Sequence, residues 1–412
     1  MPRSSLRRET PTGEPVACGG KPSCSTGLTA CRTSLHLTKI TITQLVQDVS
    51  NQTIYEQGSK NLKISIGILA YNEANEISIT LHSLFQQSLF KKADGNTTIE
   101  IVVVPNGCTD NTAAIATATL KELTQGFTQP CINWRVCEVK EPGKANAWNL
   151  YVHEFSAPTA DYLLLMDADI HFLDPHTLYS MINTLETTPS AWVSVDKSVK
   201  DVALKPKKNL IEKLSVSVSN VSGAKSAWIC GQLYCARGEV LRKIWMPKGV
   251  LVEDGFLWTM VVTDCLTCQE VLDRVVLADT ASHVFEAYTD PKSLFRHELR
   301  QVVGNTINSF IYTELRLHCQ NQQDAGSLIK SRNEQDPLWL NKLIGKTVTQ
   351  KGRWVIPEWL LLRRFYSLQN RPLHKAILLL PMLVIAFFVD VLLCCQGNSE
   401  LQRWNSSSYA LK

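Results

Sequence analysis

Tyr162-Leu163-Leu164-Leu165-Met166-Asp167-Ala168-Asp169 is an apolar run that stops on two carboxylates. A short run of this kind suits a strand buried on both faces, as in a parallel sheet. Acids at i and i+2 directly after such a strand supply oxygen ligands to a hard divalent cation, which keeps waters and bridges substrate phosphates. The same pair also serves as a helix cap or a turn. Its place at the end of a buried strand favours the cation, because an unpaired charge there is costly.

The pattern repeats upstream. Lys63 to Ala70 is an apolar run that leads into Tyr71-Asn72-Glu73, and Ile77, Leu81, Leu84 and Phe85 then fall on one helix face. Ile99 to Val104 is rich in β-branched residues and runs into Pro105-Asn106-Gly107-Cys108-Thr109-Asp110-Asn111-Thr112, a turn followed by helix-start chemistry before a helix over Ala113–Leu123. Trp134 to Val139 reads as a third strand, and Trp148, Tyr151, Val152 and Phe155 mark another helix face. Strands alternating with helices imply parallel pairing with right-handed crossovers. Ligands of such sheets bind beyond the carboxyl ends of the strands, where Tyr71-Asn72-Glu73, Asn106 and the Asp167/Asp169 pair converge.

Two further segments carry chemistry. Gly143-Lys144 follows a strand end and opens a helix, a position suited to phosphate as well as to a plain solvated lysine. Glu253-Asp254-Gly255 follows Val250-Leu251-Val252 and precedes a helical stretch, Phe256 to Val262. An acid here is placed to take a proton from a hydroxyl, or simply to cap the helix.

These residues in this order resemble the inverting glycosyltransferases of family two, which have a GT-A fold. The resemblance covers about Leu62 to Gly304. It implies an α/β architecture: a Rossmann-like mixed, mainly parallel sheet flanked by helices. It implies donor binding by Tyr71, Asn72, Glu73, Asn106, Lys144, Asp167 and Arg300, and Mn²⁺ or Mg²⁺ held by Asp167 and Asp169, with His283 as a third ligand. Asp254 is then the catalytic base, with Glu253 beside it. The sequence departs from the family at Pro105 and Asn106, which stand where two acids are usual, one of them a reader of the nucleotide base. Processive members carry Gln-x-x-Arg-Trp. The nearest segment here is His297-Glu298-Leu299-Arg300-Gln301, where only Arg300 matches, and Arg296 precedes it on the same helix face. The expected reaction moves a sugar from a nucleotide-sugar donor to a hydroxyl acceptor, lipid-linked or part of a glycan. A processive synthase, a nucleotidyltransferase and a catalytically silent binding module each fit part of the pattern.

Composition sets the frame. The chain has 412 residues, is 44% hydrophobic and carries a formal charge of only +4, so a core is affordable and no broad basic field calls for nucleic acid. The block Ala376–Cys395 is broken only by Pro381 and Asp390, and reads as a transmembrane helix by length. Arg363, Arg364, Arg371, His374 and Lys375 precede it and only Arg403 and Lys412 follow, which puts the catalytic part on the cytoplasmic side of a membrane. Asp390 argues for the alternative, a helix buried in the globular part. The 13 cysteines are expected as reduced thiols, with no apolar signal segment at the N-terminus, and Cys230, Cys235, Cys265 and Cys268 are a weak zinc candidate. The expected divisions are a basic, Pro- and Gly-rich extension over 1–60, the glycosyltransferase domain over 61–290, a helical acceptor-side region over 291–374, the apolar helix over 375–396 and a tail over 397–412.

Overall fold

The computed structural model describes residues 61–91, 97–125, 132–204, 227–286, 290–319, 324–366 and 373–404. The N-terminal extension, most of the tail and the segments between these ranges lie outside the described residues.

The first half of the sheet is parallel. β1 (Leu62–Ala70) pairs in parallel with both β2 (Thr97–Pro105) and β4 (Tyr162–Asp167), and β2 pairs in parallel with β3 (Ile132–Val136). β5 (His171–Phe172), β6 (Val193–Lys200), β7 (Leu233–Arg237) and β8 (Val275–Phe285) complete an eight-stranded sheet of order β3-β2-β1-β4-β7-β6-β8-β5. β7 runs antiparallel to β4 and β6, while β6 and β8 are parallel. The sheet is therefore mixed, as expected from the sequence.

The alternation of strand side chains sorts the core into two layers. Ile64, Ile66, Ile68, Ile99, Ile101, Val103, Leu164 and Met166 point to one face. There they meet α1 (Ile77–Phe85), α2 (Thr112–Thr124) and α4 (Thr177–Thr187) through Leu81, Leu84, Leu120, Met181 and Leu185. Leu69, Val102, Val104, Leu163 and Leu165 point to the other face, against α3 (Lys144–Leu150) and α5 (Glu253–Val262). Because the central strands are buried on both faces, their sequences read as unbroken apolar runs.

Two local features differ from the sequence expectation. β3 starts earlier and ends at Val136, so Val139 makes only an isolated bridge to Asn106. The helix after Lys144 widens into a π turn over Tyr151–Phe155, closed by Ser156 N–H donating to the Tyr151 carbonyl. The Tyr151 ring lies directly on Gly67 of β1, where a Cβ would come within 2.5 Å of it. Its hydroxyl bonds to Ser65 at 3.1 Å.

The C-terminal part is helical: α6 (Pro291–Cys319), α7 (Ala325–Gln335), α8 (Trp339–Lys351), α9 (Glu358–Tyr366) and α10 (Leu373–Gln402). These helices share the second core layer with the sheet through residues such as Val302, Ile307, Ile344, Leu360 and Leu393. Within α10, Leu379–Gln402 is long and apolar enough to cross a membrane, with a mean hydropathy of 2.3. Asp390 does not face outward. It is fully buried, 2.7 Å from Arg363 and 2.8 Å from Arg364 of α9. Both arginines also reach Glu298 of α6, at 2.6 and 3.3 Å.

Candidate active site

Parallel strands bring their carboxyl ends to one edge. Ala70 stands opposite Pro105, and Leu69 stands between Val104 and Asp167, so the polar segments after β1, β2 and β4 emerge together.

The first two of these segments bind each other. Asn72 has a left-handed backbone, φ 56°, a conformation that Asn tolerates better than most residues. Its side-chain oxygen accepts from the Thr109 N–H at 2.8 Å. Asp110 accepts from Thr112 N–H at 3.1 Å and from Ala74 N–H at 3.1 Å. The Asn106 amide is buried. It donates to the Ala70 carbonyl at 2.9 Å and accepts from Gly143 N–H at 3.1 Å, tying β1 to the loop that carries Lys144. Asn72 and Asn106 thus act on loop shape, while Tyr71 is exposed at the rim.

Lys144 is the hub of the site. Its ammonium lies 2.7 Å from Asp167 and 3.3 Å from Glu253, and donates to the Gly231 carbonyl at 3.2 Å. Burial works against the charge, but the two carboxylates outweigh it and hold Lys144 protonated. The charge count remains acidic. Burial pushes the Asp167 carboxyl up to about 6, opposed by Lys144 and reinforced by Asp169 and Glu253. Burial and the nearby Asp169 and Asp167 push Glu73 up to about 7. Burial and then Glu253 also raise Asp254.

Glu253 and Asp254 open α5, and α6 braces that corner. Arg300 donates to the Leu251 carbonyl at 3.1 and 2.8 Å, and lies 3.7 Å from Glu253. Asn308 donates to the Val252 carbonyl at 2.9 Å, and the Tyr312 hydroxyl donates to the Gly255 carbonyl at 3.2 Å. Gly304 lets Val252 approach, since a Cβ there would meet Val252 Cγ2 at 2.3 Å. Arg300, Gly304, Asn308 and Tyr312 recur every four residues, one helix face. The spacing was present in the sequence, but nothing local showed what that face would meet. Arg296 is exposed, away from this set of contacts.

Gly231 is a second feature that the motifs did not show. A side chain there would press on Glu253, Lys144 and Asp254, at 3.2, 3.4 and 3.5 Å. A small cavity is lined by Lys144, Asp167, Gly231, Glu253, Asp254 and Leu257.

His283 sits on β8, fully buried, with Nδ1 2.7 Å from Asp196 and Nε2 3.3 Å from the Gln232 side-chain oxygen. The Gln232 carbonyl in turn accepts the Asp167 N–H at 2.9 Å, so His283 borders the Asp167 strand end. Among the described residues, no three His, Cys, Asp or Glu side chains already form a closed metal-ligand set. Cys235 and Cys265 are buried and Cys268 is exposed, all as free thiols.

Residues 65–243 match the family model for glycosyl transferase family 2. That segment, somewhat under half of the chain, is similar to the family 2 glycosyltransferases. Among solved structures it is similar to a mannosyltransferase from Pyrobaculum calidifontis in complex with GDP-Man and Mn²⁺, at 16% identity and a TM-score of 0.45, over 83% of this chain and 87% of that one. It is also similar to glucosyl-3-phosphoglycerate synthase from Mycobacterium tuberculosis with Mg²⁺ and UDP, at 20% identity and a TM-score of 0.39, over 58% of this chain and 76% of that one. The same synthase with Mn²⁺, UDP-Glc and phosphoglyceric acid gives 20% identity and a TM-score of 0.38, over 58% and 77%.

Proposed function

We propose that the protein transfers a sugar from a nucleotide-sugar donor to a hydroxyl acceptor in one inverting displacement. The observation that carries this reading is the meeting of Asp167, Lys144 and Glu253 at the carboxyl edge of the parallel strands, with Asp169 and Asp254 on either side. The donor set fits Mn²⁺ or Mg²⁺: Asp167, Asp169 and Glu73 are hard oxygen groups, and burial together with neighbouring carboxylates raises the proton affinities of Asp167 and Glu73. Asp169 and Asp167 would hold the ion, with His283 as a further ligand turned by Asp196. When bound, the ion stabilises the departing nucleoside diphosphate as a Lewis acid.

The protein's own groups do the rest. Lys144 and Arg300 present positive charge to the donor phosphates. Asp254 takes the acceptor hydroxyl proton as that oxygen bonds to the anomeric carbon. The bond from that carbon to the phosphate oxygen breaks, and its electron pair leaves with the diphosphate. Burial and Glu253 make Asp254 a stronger base than an ordinary aspartate, as this role requires. No enzyme nucleophile is needed.

The enzyme acts at a membrane, on its cytoplasmic side, through the apolar helix α10, and a lipid-linked acceptor follows from that location. A screen of nucleotide sugars with Mn²⁺ tests the activity. Release of a nucleoside diphosphate, with inverted anomeric configuration in the product by NMR, is the expected result. Release of pyrophosphate would identify a nucleotidyltransferase instead.

A further inference from the structure

We infer that α10 lies flat in the bilayer surface, with α9 beside it, and does not cross the membrane; this rests on the membrane attachment proposed above. The outer face of α10 is a continuous apolar stripe of Leu380, Val384, Ile385, Phe388, Val389 and Leu392. Ile385 is 68% exposed, and Phe388 and Leu392 are each 63% exposed. α9 extends the patch with Trp359, Leu362 and Tyr366, which recur at helical spacing and are exposed. From Ala376 to Ser399 the only charged residue is Asp390, and it faces the protein. An exposed apolar stripe with no charge of its own along this length fits acyl chains. The exposed Trp354, Trp359 and Tyr366 are the side chains that favour the headgroup level.

The inner face shows why the helix does not cross. Gly397 packs on Leu299, Val302 and Val303 of α6. Asn398 donates to the Arg353 carbonyl at 3.0 Å and accepts from Val355 N–H at 2.9 Å, and Gln402 donates to the Gly352 carbonyl at 2.5 Å. Asp390, halfway along, is held by Arg363 and Arg364. The middle and the end of α10 are thus fixed to the same body. A crossing helix would place its end on the far side of a hydrocarbon layer about 30 Å thick. It would also draw Asp390, both arginines and Glu298 into that layer, with the polar part of α6 attached.

Charge placement agrees. Arg353 and Arg403 are exposed at one end of the stripe, where in a flat helix they meet anionic headgroups.

The test uses the full chain with a tag at each end. In inside-out membrane vesicles, a flat helix leaves both tags open to protease on the same side, whereas protection of the C-terminal tag alone overturns the inference and leaves membrane attachment standing. Purified protein should float with phosphatidylcholine vesicles containing phosphatidylglycerol. Ile385→Glu with Phe388→Glu should reduce the bound fraction about tenfold or more. Melting temperature and donor hydrolysis in solution should be unchanged. Peptide-resolved thiol labelling gives a second readout without substitution: vesicles should shield Cys395 and leave Cys268 reactive, both being exposed in the free protein. Equal labelling of the two, or wild-type flotation by the double variant, refutes a lipid-facing stripe. Wild-type protein that hydrolyses donor but neither floats nor partitions to membranes overturns the attachment as well, and a dimer that shields Cys395 without lipid assigns the face to a second copy. Neither result touches the transferase reading, which donor hydrolysis tests alone.

Discussion

The Asn308 side chain donates to the carbonyl of Val252, at 2.9 Å, immediately before the Glu253-Asp254 pair. α6 therefore sets the position of the proposed base, and Gly304 allows the close approach. Gly304→Ala should destabilise the protein by about 1–3 kcal/mol, the usual cost of overpacking. It should also lower kcat more than donor affinity. Thermal melts and steady-state kinetics check both effects. An unchanged kcat in a folded variant would show that the brace is structural only.

Asp254→Asn should abolish transfer, by about 100- to 10,000-fold, while donor binding persists. In the wild type, kcat/KM should fall as acid protonates Asp254. That limb should lie above the ordinary aspartate range, because burial and Glu253 raise its proton affinity. Wild-type turnover by the Asn variant would remove Asp254 from the mechanism.

Lys144 compensates two carboxylates, Asp167 and Glu253. Lys144→Met leaves them facing each other partly buried, and the melting temperature should drop. The drop should be smaller at pH 5 than at pH 8, because burial already pushes the Asp167 carboxyl up to about 6 with Lys144 present and loss of Lys144 raises it further, so that protonation at pH 5 removes part of the repulsion. Melts at the two pH values decide it. An equal drop at both would mean that Lys144 acts by packing alone.

Much of this arrangement was legible from local pattern. The runs at Lys63–Ala70, Ile99–Val104 and Tyr162–Met166 are apolar without alternation because both faces of those strands are covered, so strand, order and carboxyl edge could be read together. Asp167, Lys144 and Glu253 were legible because each follows a strand or loop end with a sharp change in polarity. Asp196, Gly231 and the Arg300–Tyr312 face were not, since their meaning lies in contacts across long sequence separations. Asn106 shows the opposite case. It stands directly after the strand, as its sequence position implies, yet its polar atoms serve Ala70 and Gly143. α10 had the length of a membrane span, and only the fold shows Asp390 turned inward between two arginines.

Asp196 and His283 form a buried pair at 2.7 Å beside the Gln232 strand end. A carboxylate on one ring nitrogen fixes the ring and raises the basicity of the other, which here faces the Gln232 side chain at 3.3 Å and would meet a metal once that side chain turns away. Asp196→Asn should therefore weaken Mn²⁺ binding about 10- to 100-fold, and His283→Ala at least as much. Calorimetry of Mn²⁺ binding in the presence of nucleoside diphosphate measures this. Unchanged affinity in both folded variants would restrict the ion to the carboxylates.

The acidic cluster also makes stability depend on pH in a predictable direction. Glu73 and Asp167 have folded-state proton affinities raised from 4.5 to about 7 and from 3.8 to about 6. Between those limits the folded state binds more protons than the unfolded chain, so without metal the stability should fall as pH rises from about 4 to 7. A divalent cation competes with those protons, so Mn²⁺ should raise the melting temperature more at pH 7.5 than at pH 5.5. Asp169→Ala should abolish most of the Mn²⁺ effect by removing a ligand, and should lower the Glu73 proton affinity by removing a negative neighbour. Glu73→Gln should flatten the upper part of the metal-free profile. Metal-dependent stabilisation that is equal at the two pH values, or retained in Asp169→Ala, would place the ion away from this cluster.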